Sequence, residues 1–556
     1  TPMLCSRYLD VTQQHKQIYY RISAWLDRLD QHYHRLLEYS LQHRWKVILT
    51  TFAVVIFGGG FALYIVDKDF VPETDEASFS ITVKTPLGSN LDYTNDGMLK
   101  IEKIIERHRP IVASYFSTIG AGSRGQVNQG NINVRLVPKT ERDISQQALI
   151  QQLKKEFDQV PGVKAIPSPA SIAKGQRSEK LQFNITSFNL DELAIVAKKV
   201  QDSLSTVPNM GKVDLDLQLD LPQVELLIDR DKASSLGISA TDIASAISVY
   251  AGGLDVSSYN DVPGDGQRYK VRLKAEEGEL KQAYDLSKIY LRGNNGNLVR
   301  LDTLVQSKTG LGPAVIGRLD LQYAANFYIN PGMPLGDAVN VVKQTATEIM
   351  PAEYKLKFSG QAEEFGKTFK NIKFVFMLAM ILLYMVLASQ FNSFLQPLII
   401  MLAQPLAIIG GLLALPLFGD TLNIYSMIGL VLLIGLVAKN SILLVDLTNQ
   451  IRLQGASVQD ALMQACPIRM RPVVMTSLTI ILALLPAALG FGAGSESNKP
   501  LSVAIIGGMI SSTLLTLVVV PAAYSLAMNA QTRWENSDWA ARKQGFMQLR
   551  KKWLGK

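Results

Sequence analysis

Cysteine is nearly absent: the 556 residues hold two, Cys5 and Cys466, one near each end. The long middle of the chain has no disulfide to form, so its stability must come from packing. Histidine is scarcely commoner, and four of the five stand before Val47. The middle region keeps only His108, in the charged stretch ERHRP. With no thiol and one imidazole, that region excludes a cysteine nucleophile and argues against a histidine triad or a zinc site. His32 and His34 are two residues apart and point to different sides of a helix, which argues against a metal pair there. Met98, Met210, Met333 and Met350 are scattered rather than clustered, so a soft-metal relay finds little support. No cofactor is expected. Also lacking are an initiator Met and a signal peptide. The opening TPMLCSRYL reads like the frayed end of an earlier helix, and the chain is expected to be a fragment.

What the chain does have is apolar residue in long runs. Hydrophobic residues make up 47% of it and charged residues 19%, too apolar for an ordinary soluble enzyme and too charged to be membrane throughout. Val47 to Val66 is long enough to span a bilayer, and five further runs follow at roughly Phe374 to Ser389, Leu395 to Phe418, Ile424 to Leu447, Val473 to Phe491 and Leu501 to Met528. The layout is one span, about 300 residues of soluble composition, then five spans. The formal net charge of +8 suggests nucleic acid until it is located. It gathers at the two ends, with Arg21, Arg28, Arg35, Arg44 and Lys46 before the first span and Arg542, Lys543, Arg550 and Lys556 after the last. Basic residues beside spans mark the cytoplasmic side. Six crossings then leave the large middle region outside, with membrane lipid as the surrounding partner and no nucleic acid. From Val11 to Arg44, apolar Ile18, Ile22, Trp25, Leu29, Tyr33, Leu36 and Leu37 recur at helical spacing, which predicts an amphipathic helix on the inner membrane surface.

The middle region repeats its form. Phe79 to Lys84 reads as a strand, Leu91 to Arg107 as a helix and Ile111 to Thr118 as a strand; Ile132 to Val137, Ile144 to Phe157 and Val163 to Ile166 follow in the same order. A second pair comprises Leu181 to Ile185, Leu190 to Leu204 and Val213 to Leu217, then Ala325 to Ile329, Leu335 to Ile349 and Tyr354 to Phe358. Each is a split βαβ unit with helices on one face of a small sheet. The expected divisions are 1–46 for the end of a preceding span and the interfacial helix, 47–66 for the first span and 67–177 for the first βαβ pair. Residues 178–221 with 313–370 form the second pair, 222–312 an inserted lobe rich in Gly, Asp and Asn, 371–528 five spans, and 529–556 a basic tail. The fold class is thus a polytopic α-helical membrane protein of six spans, one plus five, carrying a large α+β region.

Two motifs invite a functional reading. Gly120, Gly122 and Gly125 match G-x-G-x-x-G, but a strand follows where a nucleotide site needs a helix, so a connecting loop is the better reading. The sharper signal is Lys439, the one cation in the run IYSMIGLVLLIGLVAKNSILLVDL. A charge inside a span costs about 2.5–3.5 kcal/mol on insertion scales, so it needs a partner, a water-filled cavity or an escape route. The bland alternative is snorkelling, since Asp446 at the inner rim is seven residues away, roughly 10 Å. Gly435, on the same face, leaves room for another helix, and Asn440 adds a second polar group. Thr476 and Thr479 on the next span lie at a similar depth. The carboxylate that would hold Lys439 charged is expected elsewhere.

GLVAKNSILLVDL, RMRPVVMTSL, GAGSESN and AIIGGMISSTLLTLVVVPAAY, together with FVPETDEASF and LLIDRDKASSLGISATDI, resemble the carboxy-terminal half of resistance-nodulation-division efflux transporters, most closely the hydrophobe/amphiphile multidrug exporters of the acriflavine-resistance type. The resemblance covers essentially the whole chain. It implies proton-driven export of small molecules by a trimer in the inner membrane, joined to a periplasmic adaptor protein and an outer-membrane channel. It implies that Lys439 pairs with two aspartates on the amino-terminal half of the pump, and that Asn440, Thr476 and Arg469 complete a proton relay. The βαβ pairs become porter subdomains around a substrate cleft, and the insertion becomes a docking lobe. Gly120 to Gly130 becomes a switch loop on the substrate path, carrying Gly120, Ser123, Arg124, Gln126 and Asn128 where related pumps often place phenylalanines. The one-plus-five layout also resembles accessory subunits of the Sec translocon, which carry an acid rather than Lys-Asn in the corresponding span. A membrane-anchored periplasmic sensor, the third reading, needs neither Lys439 nor five closing spans.

Overall fold

The computed structural model describes residues 17–72, 74–120, 125–169, 177–260, 266, 268–276, 283–294, 296–490 and 495–535. After the first apolar helix the chain builds β1 (Ser78–Lys84), α2 (Leu91–Arg107), β2 (Val112–Ile119), β3 (Gln129–Leu136), α3 (Gln146–Phe157) and β4 (Lys164–Pro169), where α1 is the opening helix Gln17–Gln42. The two βαβ units merge into one antiparallel sheet of order β2-β3-β1-β4. Alternation in β1 turns Phe79, Ile81 and Val83 inward, where they meet Met98, Ile101 and Ile105 of α2 and Leu149, Leu153 and Phe157 of α3. Both helices start at side-chain caps, Asn90 accepting from the Tyr93 N–H and Ser145 from the Ala148 N–H. Gly130 is required by contact, because a Cβ there would stand 2.6 Å from the Met98 sulfur.

The second pair forms β5 (Leu181–Ser187), α4 (Leu190–Ser205), β6 (Val213–Leu215), β9 (Arg318–Leu319), β10 (Gln322–Ile329), α5 (Leu335–Ile349) and β11 (Lys355–Ser359). Its strand order is β9-β10-β5-β11, with β6 also paired to β10. Phe183 and Phe327 stack across β5 and β10 with centroids 4.5 Å apart at the middle of its core. The insertion leaves on β7 (Leu221–Ile228) and returns on β8 (Val305–Gly312), which pair residue by residue as a two-stranded stem. Beyond it, Ile243, Leu286, Ile289, Leu301 and Leu304 make a separate small core.

Among the described residues six helices are long and apolar enough to cross a membrane: Arg44–Ile65 before the sheets, then Gly360–Phe391, Gln396–Leu417, Ile424–Leu453, Val458–Ala488 and Ser495–Thr532. The third, fourth and sixth carry 56–61% of their apolar windows buried, against 6–17% for the others, so they form the middle of the bundle. The third and sixth meet backbone to backbone at Gly410, Gly411, Gly507 and Gly508, the small-residue contact expected of helices packed in lipid.

Two expectations are corrected. The fourth helix, expected to end at Leu447, runs to Leu453, and the fifth, expected from Val473, begins at Val458, leaving a short turn between them. Pro467 and Pro472, both ahead of the expected start, lie inside the fifth helix. The amphipathic helix α1 also does more than lie on a surface. Tyr33, Leu37 and Leu41 are buried against the bundle, the Tyr33 hydroxyl donates to the Leu517 carbonyl at 2.9 Å, and Arg471 pairs with Asp27 and Asp30. Leu36, expected on the same apolar face, is 48% exposed and does not join that packing.

Candidate functional site

The fourth helix is set by a capping box in which buried Asn423 accepts from the Ser426 N–H and the Ser426 hydroxyl accepts from the Asn423 N–H. One face, with Leu433, Val437 and Leu444, is packed into the core. The opposite face carries Ile428, Leu432, Gly435 and Lys439, at steps of four, three and four residues, and all four are exposed. A Cβ built on Gly435 meets nothing within 4 Å. Lys439 stands at the middle of this 30-residue helix and forms no ion pair or hydrogen bond with any described residue. It is an ammonium on an otherwise apolar, uncovered stripe.

Asn440, one residue on and about 100° around the helix, faces inward. It is 3% exposed, and its amide donates to Ser477 Oγ of the fifth helix at 3.4 Å, while Thr513 Oγ1 of the sixth lies 2.7 Å from the same oxygen. Thr476 of the fifth helix was expected at the depth of Lys439, as a member of the same relay. Its hydroxyl instead donates to its own helix, to the Val473 carbonyl at 3.0 Å. Arg469 is half-buried, with its Nε enclosed and unpartnered among the described residues. The structure therefore joins Asn440 through Ser477 to Thr513, and no hydrogen bond or ion pair among the described residues links Lys439, Thr476 and Arg469 to one another. Ser477 was legible only as Thr476's neighbour; choosing between them needs the rotation of two helices.

In the sheet region, Gly120 (φ +69°) donates its N–H to the Gln129 carbonyl at 2.9 Å and closes the β2–β3 connection. Gln126 accepts at its side chain from Gln129 Nε2 at 2.6 Å. Asn128 is buried and exchanges hydrogen bonds with Thr85 at the end of β1, so it anchors the loop. Ser123 and Arg124 lie outside the described residues. Met98 and Met210 are buried in the two sheet cores, and Met333 and Met350 pack against the second. A cavity of about 390 Å³ opens between the two sheets, lined by Gln147, Lys154, Glu179, Asp214, Tyr328 and Asn330 among others. A second, of about 380 Å³, lies at the foot of the sheets and reaches Phe70, Glu76, Gln361, Tyr425 and Ser497.

Sequence reasoning missed a charged cluster beside the first cavity. Asp214 on β6 lies 2.6 Å from Lys84, 3.4 Å from Lys164 and 2.9 Å from Arg177, and Arg177 also holds Glu179 at 2.8 Å. Burial alone would raise the Asp214 carboxyl, but Lys84, Arg177 and Lys164 outweigh it and bring it down to about 2.

Residues 1–528 match the AcrB/AcrD/AcrF family. The crystal structure of a heavy metal efflux pump is similar over 91% of this chain and 53% of its own, with a TM-score of 0.81 at 26% identity. The chain spans about half the length of that structure.

Proposed function

Because the chain belongs to the AcrB/AcrD/AcrF family, whose members are transporters rather than enzymes, we propose that it is the carboxy-terminal half of a proton-driven resistance-nodulation-division efflux pump of the inner membrane. In this reading the six apolar helices cross the bilayer as one plus five, and the sheets stand in the periplasm as porter subdomains. The inserted lobe docks to an outer-membrane channel within a trimer served by an adaptor. The cargo is drugs or other amphiphilic small molecules. The heavy metal pump is a structural relative; in this chain the methionines of the sheet region are taken up by packing, which favours amphiphiles over soft metals.

One observation carries the proposal: Lys439 lies exposed on the stripe of Ile428, Leu432 and Gly435. An ammonium on a lipid-facing surface is costly, and a neighbouring helix that covers the stripe and brings a carboxylate removes that cost. Open space at Gly435 lets such a helix approach closely. Protonating the carboxylate then releases Lys439, the two helices rearrange, and the movement opens and closes the cleft above. Asn440, with Ser477 and Thr513, holds the rotation of the fourth helix that aims Lys439 outward, and Thr476 and Arg469 lie along the proton's route on the fifth. Gly120, Ser123, Arg124, Gln126 and Asn128 shape the loop on the substrate path.

The test is Lys439→Met in the complete pump, scored by dye efflux and drug resistance in a pump-deficient cell. Loss of both with normal membrane insertion is expected. Full activity would return Lys439 to a snorkelling side chain.

A further inference from the structure

Register places two lysines where a sheet should not have them. Lys84 on β1 stands directly opposite Lys164 on β4, and like charges opposed across a strand pair are destabilising. Lys84 is nearly enclosed, its side chain 7% exposed. The charge that reconciles them comes from the other sheet: the Asp214 carboxylate meets Lys84 with one oxygen and Lys164 with the other. Asp214 is also held by Arg177, from the segment that joins the two sheets, whose guanidinium lies 3.8 Å over the Tyr328 ring and is shared with Glu179. Tyr328 is the register partner of Asp214. The Asp214 carboxylate of the second sheet, itself held by Arg177, therefore faces two ammonium groups of the first.

Two further contacts cross the same seam, Asn330 Nδ2 donating to Ser168 Oγ at 2.8 Å and Lys212 pairing with Asp158 at 3.4 Å. β6, which carries Asp214, is three residues long and pairs only with β10. The element bearing the central carboxylate is thus among the most weakly held in its sheet.

We propose that Asp214 with Lys84 and Lys164 is an ionic lock between the two sheet subdomains, which holds the seam shut beside the cavity that both line. Separating the sheets strips two close-set lysines of their shared counter-ion, so opening requires water or a ligand to replace the carboxylate. The lock stands on this chain's geometry; that its opening admits a transported molecule rests on the transport reading.

The experiment measures distance between spin labels at Gln151→Cys on α3 and Ser205→Cys on α4, in the full chain in membranes with Cys5 replaced by Ser. Asp214→Asn should raise the population of longer distances roughly tenfold or more, since breaking a buried pair leaves its partner uncompensated. Lys164→Gln, a milder change at a one-third exposed side chain, should shift it the same way by less. If Asp214→Asn fails to fold, Lys164→Gln decides alone. Unchanged distance distributions in the folded variants overturn the lock. Dye efflux by the same variants reads the other question: distances that shift while efflux is untouched leave the lock standing and remove the cleft from the transport path.

Discussion

Gly507→Ala tests whether the third and sixth helices are held by backbone contact. A Cβ on Gly507 falls 2.3 Å from the Ala414 Cβ and 2.7 Å from the Gly410 carbonyl oxygen. Carbon atoms prefer about 3.5–4 Å, and neither neighbour can rotate away, so the helices must part by about 1 Å along the whole Gly410–Gly508 seam. Overpacking of this kind costs about 1–3 kcal/mol, against about 1 kcal/mol of helix propensity gained from replacing glycine. The net expectation is a loss of up to about 2 kcal/mol. Cys466 supplies the assay: it is fully buried, so with Cys5→Ser in the background a thiol-reactive dye reports unfolding as the detergent-solubilised chain is heated. Gly366→Ala is the control, because a Cβ there meets nothing within 4 Å. A Gly507→Ala melting temperature at or above wild type, with the control unchanged, refutes the seam.

Gly435→Leu should leave that melting curve where it is, since its Cβ enters open space, yet lower dye efflux by the complete pump at least tenfold by blocking the approach of the covering helix; a lowered melting temperature, or full efflux, contradicts this. Acid should loosen the sheet region. Burial pushes the Asp75 carboxyl up, but the Arg142 guanidinium and the Gln146 and Ala77 N–H groups hold it below its ordinary value, and Asp214 is down at about 2. Groups with depressed values stabilise the folded state above about pH 4 and lose that contribution as pH falls toward 2. At about 1.4 kcal/mol per pKa unit, Asp214 accounts for about 2 kcal/mol of it. Protease susceptibility of the sheet region should rise through this window and be flatter in Asp214→Asn; an unchanged profile counts against the pairing.

Much of the fold was legible, and the reasons are local. Leu91–Arg107 and Leu335–Ile349 came out at their observed ends because each carries a one-sided apolar face bounded by turn residues. The strands were found by alternation and differ at their ends by a few residues, β6 stopping at Leu215 where Leu217 was expected. The fifth helix was read too short because proline usually ends helices in water. Here Pro467 sits between buried Cys466 and Met470, inside a helix that continues through it. The ionic lock was invisible for a different reason. Lys84, Lys164 and Asp214 are ordinary charges in ordinary strands, and only the sheet register and the docking of two sheets bring them together.

The candidate site divides in the same way. The sequence marks Lys439 as costly but does not say which way it points, and the competing explanations differ on one residue. A snorkelling lysine leans toward the inner rim, where Asp446 shares its face seven residues on, about 10 Å along the helix. Asp446 is half-buried and accepts from Gln450 Nε2 at 2.9 Å, and no ion pair joins it to Lys439. Plain snorkelling makes both side chains dispensable; if a functional pairing with Asp446 explains the lysine instead, Asp446→Asn removes its partner and should be as damaging as Lys439→Met. If a carboxylate on a covering helix explains it, Asp446 is a bystander. The expected result is near-wild-type dye efflux for Asp446→Asn and loss for Lys439→Met. Equal loss in both would tie Lys439 to the rim of its own helix and remove the need for a partner across the exposed stripe.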